Sequence, residues 1–391
     1  MSSPADAKSR ATAPTRTDGA PITPPALPPT VPAPSRASAA DRVTRSLLRS
    51  QQAGLLIVLL SLGVALTLAS GSHIDNATGR EINNFLNRYT LVQMATDASA
   101  FAIMGVGMTL VIISGGIDLS VGAVYALAGV TMAMVLRAAG PMGDFATFAL
   151  GLGTCVSVSL AAGVANGLMV IGLGVHPFII TLGTMWMLRG LAFVASSAQS
   201  ILVPQALTGV AKAPLGLGAG LYPVPLLVMI GVTIIGSVYL TRTVMGRHIF
   251  AVGGNAEASR FSGLDVKRIT LGVFVLSSLA AGVAAFMGAS FYGSATSSDG
   301  NGYELYVIAS AVVGGASLSG GKGSAVSATL GALLIVLIRQ AIRTLHLDQN
   351  YEWIIIGGAL ILAVVIDQSG TRLLARRLAR GEASRPPSAT P

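Results

Sequence analysis

The ionisable and nucleophilic side chains that chemistry draws on are sparse in this sequence and stand far apart. Asp118 lies in Val111-Ile112-Ile113-Ser114-Gly115-Gly116-Ile117-Asp118-Leu119-Ser120-Val121-Gly122, where two glycines and a carboxylate interrupt an apolar run. Asp97 sits in another apolar stretch beside Thr96 and Ser99, and Arg189 stands near the end of a third. His73, His176, His248 and His346 are too scattered for metal-ligand spacing. Cys155 has no second cysteine to pair with. Lys322, in Gly320-Gly321-Lys322-Gly323-Ser324, suggests part of a phosphate loop. That motif needs glycine at 316 and Ser or Thr at 323, where this chain has alanine and glycine. The sequence therefore predicts no catalytic constellation, no metal, no cofactor and no ATP site of its own.

The elements that carry these residues are membrane spans. The chain is 52% hydrophobic and only 10% charged, with 47 glycines and a mean hydropathy of +0.71. Apolar residues cluster in long continuous runs rather than the short alternating segments of a β-barrel. The expected fold class is an all-α polytopic membrane protein of about ten transmembrane helices, with internal duplication and broken or re-entrant segments. The spans fall near 54–70, 89–114, 119–137, 144–171, 177–198, 223–241, 269–291, 303–316, 324–340 and 353–367. The segment 303–316 is too short to cross about 30 Å of hydrocarbon as a helix, so it reads as re-entrant or as a shielded half-helix.

The net charge of +9 is not spread evenly. Basic residues concentrate in 1–53, in 242–268 and in 368–391, leaving the rest slightly acidic. That is the positive-inside pattern of a membrane protein with both termini cytoplasmic, and not a nucleic-acid footprint. Residues 1–53 read as a disordered Pro/Ala-rich tail, 54–367 as the transmembrane domain, and 368–391 as a basic tail facing anionic lipid.

Function is sought where the backbone breaks. Gly115-Gly116 recurs as Gly314-Gly315 in Val312-Val313-Gly314-Gly315-Ala316-Ser317-Leu318-Ser319-Gly320-Gly321. Irregular backbone at membrane depth is tolerated only inside protein or beside a water-filled cavity. Two such breaks in corresponding halves point to a duplicated transporter with a central pathway, the alternative being two short polar turns at the membrane face. The pathway-flanking candidates are Gly115, Gly116, Asp118, Ser120, Gly314, Gly315, Ser317 and Ser319. Asp118 reads as a cap for a helix beginning near Leu119, as an interfacial charge, or as part of the lining. Arg189 reads as a snorkelling side chain. Gly105, Gly107, the pair Gly163 and Gly167, and Ala280-Ala281 with Ala284-Ala285 read as small-residue helix packing. The basic loop 242–268 contains a short helical stretch, Asn255 to Phe261, that either lies on headgroups or projects into a groove of a cytoplasmic partner.

Four motifs in order make the chain resemble a known family. They are Gly107-Met108-Thr109-Leu110-Val111 through Gly122, His176-Pro177-Phe178-Ile179-Ile180-Thr181-Leu182-Gly183-Thr184, Gly246-Arg247 through Gly263-Leu264-Asp265-Val266-Lys267-Arg268, and Gly314-Gly315 with Gly320-Gly321-Lys322-Gly323-Ser324. They resemble the ribose/xylose/galactose permeases of sugar ABC importers over about 54–367. The resemblance implies a non-enzymatic subunit of the bacterial inner membrane, translocating a monosaccharide or related polyol. It further implies cytoplasmic ATP-binding subunits, a second permease copy in a homodimer, and an external sugar-binding protein. On that pattern Gly254, Asn255, Glu257, Ala258, Arg260 and Gly263 belong to a helix that docks on the ATPase. The same machine for a nucleoside or branched-chain amino acid, or an ion-coupled secondary transporter, is the alternative.

Overall fold

In hydrocarbon a backbone must satisfy its own polar groups, so long apolar runs become helices. The computed structural model describes residues 51–75, 79–216, 222–362 and 365, all within a unit running from Arg45. Apart from 51–53, which already belong to the first helix, the two expected tails lie outside these residues.

In chain order the helices are α1 (Gln51–Ala69), α2 (Arg88–Ile113), α3 (Val121–Ala139), α4 (Asp144–Leu173), α5 (Pro177–Ser196) and α6 (Gln205–Ala211). They continue as α7 (Val224–Arg242), α8 (Val244–Gly254), α9 (Ala256–Phe261), α10 (Val266–Tyr292), α11 (Tyr303–Val313), α12 (Ala325–Thr344) and α13 (Tyr351–Leu362). Two short antiparallel pairs complete the described structure, Ser72–Ile74 with Glu81–Asn83 and Ile201–Leu202 with Ser294–Ala295.

Eight of these helices are long and apolar enough to cross a membrane. The other two expected spans, 303–316 and 353–367, correspond to the shorter α11 and α13. At 11 residues α11 reaches only about 17 Å, roughly half the hydrocarbon thickness. Tyr306 to Val312 are nevertheless all buried, so α11 is a half-helix sheltered by its neighbours.

The bundle is organised around α2, whose residues from Ala98 to Ile113 are nearly all buried. Against it pack α10, α12, α7 and α11, while α1, α5 and α7 keep most of their apolar surface outward, as lipid-facing helices do. Close backbone approach holds the centre together. A Cβ on Gly163 would stand 2.8 Å from the Cα of Val275, and one on Gly107 3.0 Å from that of Ser277, so α4 and α2 each press directly on α10. Lipid offers helices no hydrophobic reason to associate, and contact of this kind replaces it. Cys155 is fully buried and donates to the Ala128 carbonyl at 3.6 Å, as a small core residue does.

Candidate functional site

The two glycine breaks are the same backbone device, built twice with residue numbers 200 apart. In the first, the amide of Gly115 donates to Ile112 O at 2.9 Å and that of Gly116 to Val111 O at 2.9 Å. In the second, Gly315 donates to Val312 O at 2.8 Å and Ala316 to Ala311 O at 2.9 Å. Gly115 and Gly315 have φ of +89° and +98°, the left-handed region that terminates a helix and favours glycine. Each break thus closes one helix, α2 or α11, and starts the turn into the next.

Beyond this shared turn the copies diverge. In the first, Asp118 is fully buried and bonded on both carboxylate oxygens. Oδ1 accepts from the Ser120 amide at 2.9 Å and the Ser120 hydroxyl at 2.6 Å, and Oδ2 accepts from Ser277 of α10 at 3.0 Å. Asn166 of α4 donates to Ser120 Oγ at 2.8 Å, and Thr181 of α5 donates to Ile117 O at 3.2 Å. Asp118 thus accepts the Ser120 amide at the entry to α3, as an N-terminal cap does, with Ser120 already helical and α3 running from Val121. Its second oxygen also ties the turn to α10, so both carboxylate oxygens are satisfied where a bare one would be costly.

In the second copy the position matching Asp118 is Leu318, and within the turn Ser317 Oγ accepts from the Ser319 amide at 3.3 Å. The amide of Gly321 donates to Ile113 O, the last residue of α2, at 2.8 Å. Gly253, near the end of α8, lies against both partners of that bond, and a Cβ there would fall on the Ile113 carbonyl. Gly320 and Gly321 in turn lie against the backbone of Gly253 and Gly254. Three distant stretches, 111–113, 253–254 and 320–321, thus meet at one point through main-chain atoms.

From that point the chain turns into α9. Asn255 Oδ1 accepts from the Ala258 amide at 2.9 Å, which caps the helix and sets an elbow between α8 and α9. Gly254, Asn255, Glu257, Ala258 and Arg260 are exposed, and Gly263 ends the elbow at φ +85°. Phe261 is 85% exposed at its tip, an aromatic that the polar pattern of the loop hides from sequence reasoning.

Of the pathway candidates, Gly116, Asp118, Ser120, Gly314 and Ser317 are buried within this chain, Gly315 is half-buried, and Gly115 and Ser319 reach the surface. Arg189 departs from the snorkelling expectation. It is 9% exposed and donates to three carbonyls, Ser297 at 2.8 Å, Asp299 at 2.5 Å and Gly300 at 3.0 Å. Its planar fork closes the loop between α10 and α11, which no nearby sequence signal predicts.

At the end of the bundle away from the elbow lies a cavity lined by Asp97, Phe101, Tyr125, Tyr292, Tyr303 and Arg339. Asp97 accepts from Tyr292 Oη at 3.1 Å and pairs with Arg343 at 3.2 Å. Arg339 pairs with Glu352 at 2.8 Å and lies over the Phe101 and Tyr306 rings at 5.5 and 5.1 Å. Among the described residues there is no cluster of His, Cys, Asp and Glu suited to a metal ion.

Residues 90–365 match a family described as the permease component of branched-chain amino acid transport systems. The chain is 36% identical over 286 residues to the D-allose transport system permease protein of Escherichia coli, covering 73% of this chain and 85% of that one. It is 34% identical over 286 residues to the ribose import permease protein of the same species, covering 73% and 87%. To the autoinducer 2 import system permease protein of Photorhabdus temperata it is 31% identical over 282 residues, covering 70% and 82%. No solved structure matches the chain significantly.

Proposed function

The chain belongs to the ABC-importer permease family that includes the ribose and D-allose permeases, and from that premise we propose that it forms the membrane path for a monosaccharide or related polyol. It is a multi-pass membrane protein of a family that works with ATP-binding and substrate-binding proteins. ATP hydrolysis is assigned to a cytoplasmic partner, substrate delivery to an external sugar-binding protein, and the second half of the pathway to another copy of this chain. The proposed site is the bacterial inner membrane, with both termini on the cytoplasmic side.

The observation that carries the coupling part of this reading is the backbone junction of Gly253, Ile113 and Gly321. A partner that moves the elbow moves Gly253, and Gly253 has no side chain to absorb displacement. The push would pass to the end of α2 and to the turn after α11. Gly254, Asn255, Glu257, Ala258, Arg260 and Gly263 supply the exposed face on which the ATPase would dock. The breaks at Gly115–Gly116 with Asp118 and Ser120, and at Gly314–Gly315 with Ser317 and Ser319, are the points where the spans would yield.

The test is uptake into proteoliposomes by the full chain with its ATPase partner and binding protein. ATP-dependent accumulation of D-ribose or D-allose, insensitive to an uncoupler, is expected. Accumulation without nucleotide that collapses with an uncoupler would assign the chain to secondary transport. ATP-dependent uptake of leucine but of neither sugar would make it an amino acid permease.

A further inference from the structure

α2 and α7 pack side by side, and each leads to the Gly253 junction, α2 through Ile113 and α7 through α8. Midway, a Cβ on Gly236 of α7 would fall on Val106 of α2, so there the two helices touch directly. Nearer their starts, at the end of the bundle away from the elbow, a groove of about 340 Å³ opens between them. Arg88, Leu91, Val92 and Ala95 of α2 line one side, and Tyr222 and Leu226 at the head of α7 line the other.

The spacing 88, 91, 92, 95 makes one stripe of α2, about 10 Å long. It is apolar except at its head, where Arg88 is the first residue of the helix. Leu91 is 44% exposed, so in a multi-pass chain this wall faces hydrocarbon or another protein. Tyr222 stacks on Phe291 with ring centroids 6.0 Å apart and is of the residue type enriched where membrane meets water. The groove is as large as small-molecule sites, which run from about 300 to 1,000 Å³. A cationic rim above an apolar slot matches the shape of a phospholipid. A guanidinium grips phosphate through paired N–H bonds, and the slot shelters an acyl chain. A second copy of the chain laid over the slot would have to take Arg88 out of water, which is costly, whereas a lipid phosphate meets it where water remains.

We propose that this groove is a phospholipid site, with one acyl chain lying along Leu91, Val92, Ala95 and Leu226 and the phosphate held by Arg88 beside Tyr222. The ligand chemistry is a phosphate diester on a diacylglycerol. The assignment holds whatever solute the chain carries, so it stands or falls apart from the sugar reading.

The test is photo-cross-linking of the full chain in dodecyl maltoside micelles, with phosphatidylglycerol carrying a diazirine in one acyl chain. Peptides holding residues 88–95 and 222–226 are expected to label saturably and several-fold above α5, whose Trp186 and Met187 also face outward. Unlabelled phosphatidylglycerol should compete, and diacylglycerol, which lacks the phosphate, should not. Arg88→Gln should lose the excess labelling and Arg88→Lys keep part of it. Ala95→Trp, which fills the slot and leaves Arg88 in place, should lose it with a melting temperature near wild type. Labelling that does not saturate and falls equally on α2 and α5 would reduce the groove to bulk lipid contact and overturn the site. Excess labelling that survives both Arg88→Gln and Ala95→Trp would overturn its placement. Cys155 is buried, so Leu91→Cys gives a single accessible thiol. Disulfide-linked dimers of that variant in oxidised vesicles would make the groove an interface between copies and overturn the lipid assignment.

Discussion

The amide of Gly321 donates to the carbonyl of Ile113 across 2.8 Å, joining the second glycine turn to the end of the helix that forms the first. Gly253 packs against this bond from the side. A substitution there is the most direct way to break the junction. Gly253→Ala is expected to abolish sugar uptake while ATP hydrolysis by the assembled complex persists. Gly254→Ala, whose Cβ would meet nothing within 4 Å, is expected to fold as wild type. Uptake and phosphate release measured on the same vesicles check both. Wild-type uptake by Gly253→Ala would remove the junction from the mechanism.

Phe261 and Glu257 face outward on α9, so their loss costs the chain itself little. Phe261→Ser and Glu257→Trp should each reduce co-purification of the ATPase partner without lowering the melting temperature of the permease in detergent. Retention of the partner by both variants would place the docking surface elsewhere.

Asp118 holds a buried turn through three hydrogen bonds. Asp118→Ala leaves the Ser120 amide and the Ser277 hydroxyl without their acceptor, at a cost of about 1–3 kcal/mol for each group stranded. Asp118→Asn keeps one acceptor and should fall between Ala and wild type. Thermal unfolding in detergent ranks the three, and equal stability of Ala and wild type would contradict the bonding described here.

Arg189 reaches three carbonyls that no single ammonium can span. Arg189→Lys is expected to lower the melting temperature nearly as much as Arg189→Ala, with faster proteolysis between 294 and 302. A fully stable Lys variant would show that charge alone suffices there.

Much of this architecture was legible in the sequence because hydropathy is written locally. The runs expected at 89–114, 144–171 and 223–241 became helices at Arg88–Ile113, Asp144–Leu173 and Val224–Arg242. The elbow helix, expected from Asn255 to Phe261, runs from Ala256 to Phe261 with Asn255 as its cap. What stayed hidden depends on residues brought together from afar. Arg189 binds carbonyls more than a hundred positions away, and Ile113 meets Gly321 across half the chain. A hydrophobic pattern says which face of a helix is buried, but not which neighbour covers it. Asp118 shows the same limit, since its type marked it as important while its partner on α10 set its role.

The two copies of the repeated turn are tied to different neighbours. One carries a carboxylate bonded to a neighbouring helix, and the other carries Leu318 at that position. The first turn is thus tied to α10 through Asp118 and to α4 through Ser120, and the second to the end of α2 through the Gly321 amide. Should both breaks yield in a transport cycle, they would do so unequally, the first moving with α10 and α4 and the second with the end of α2.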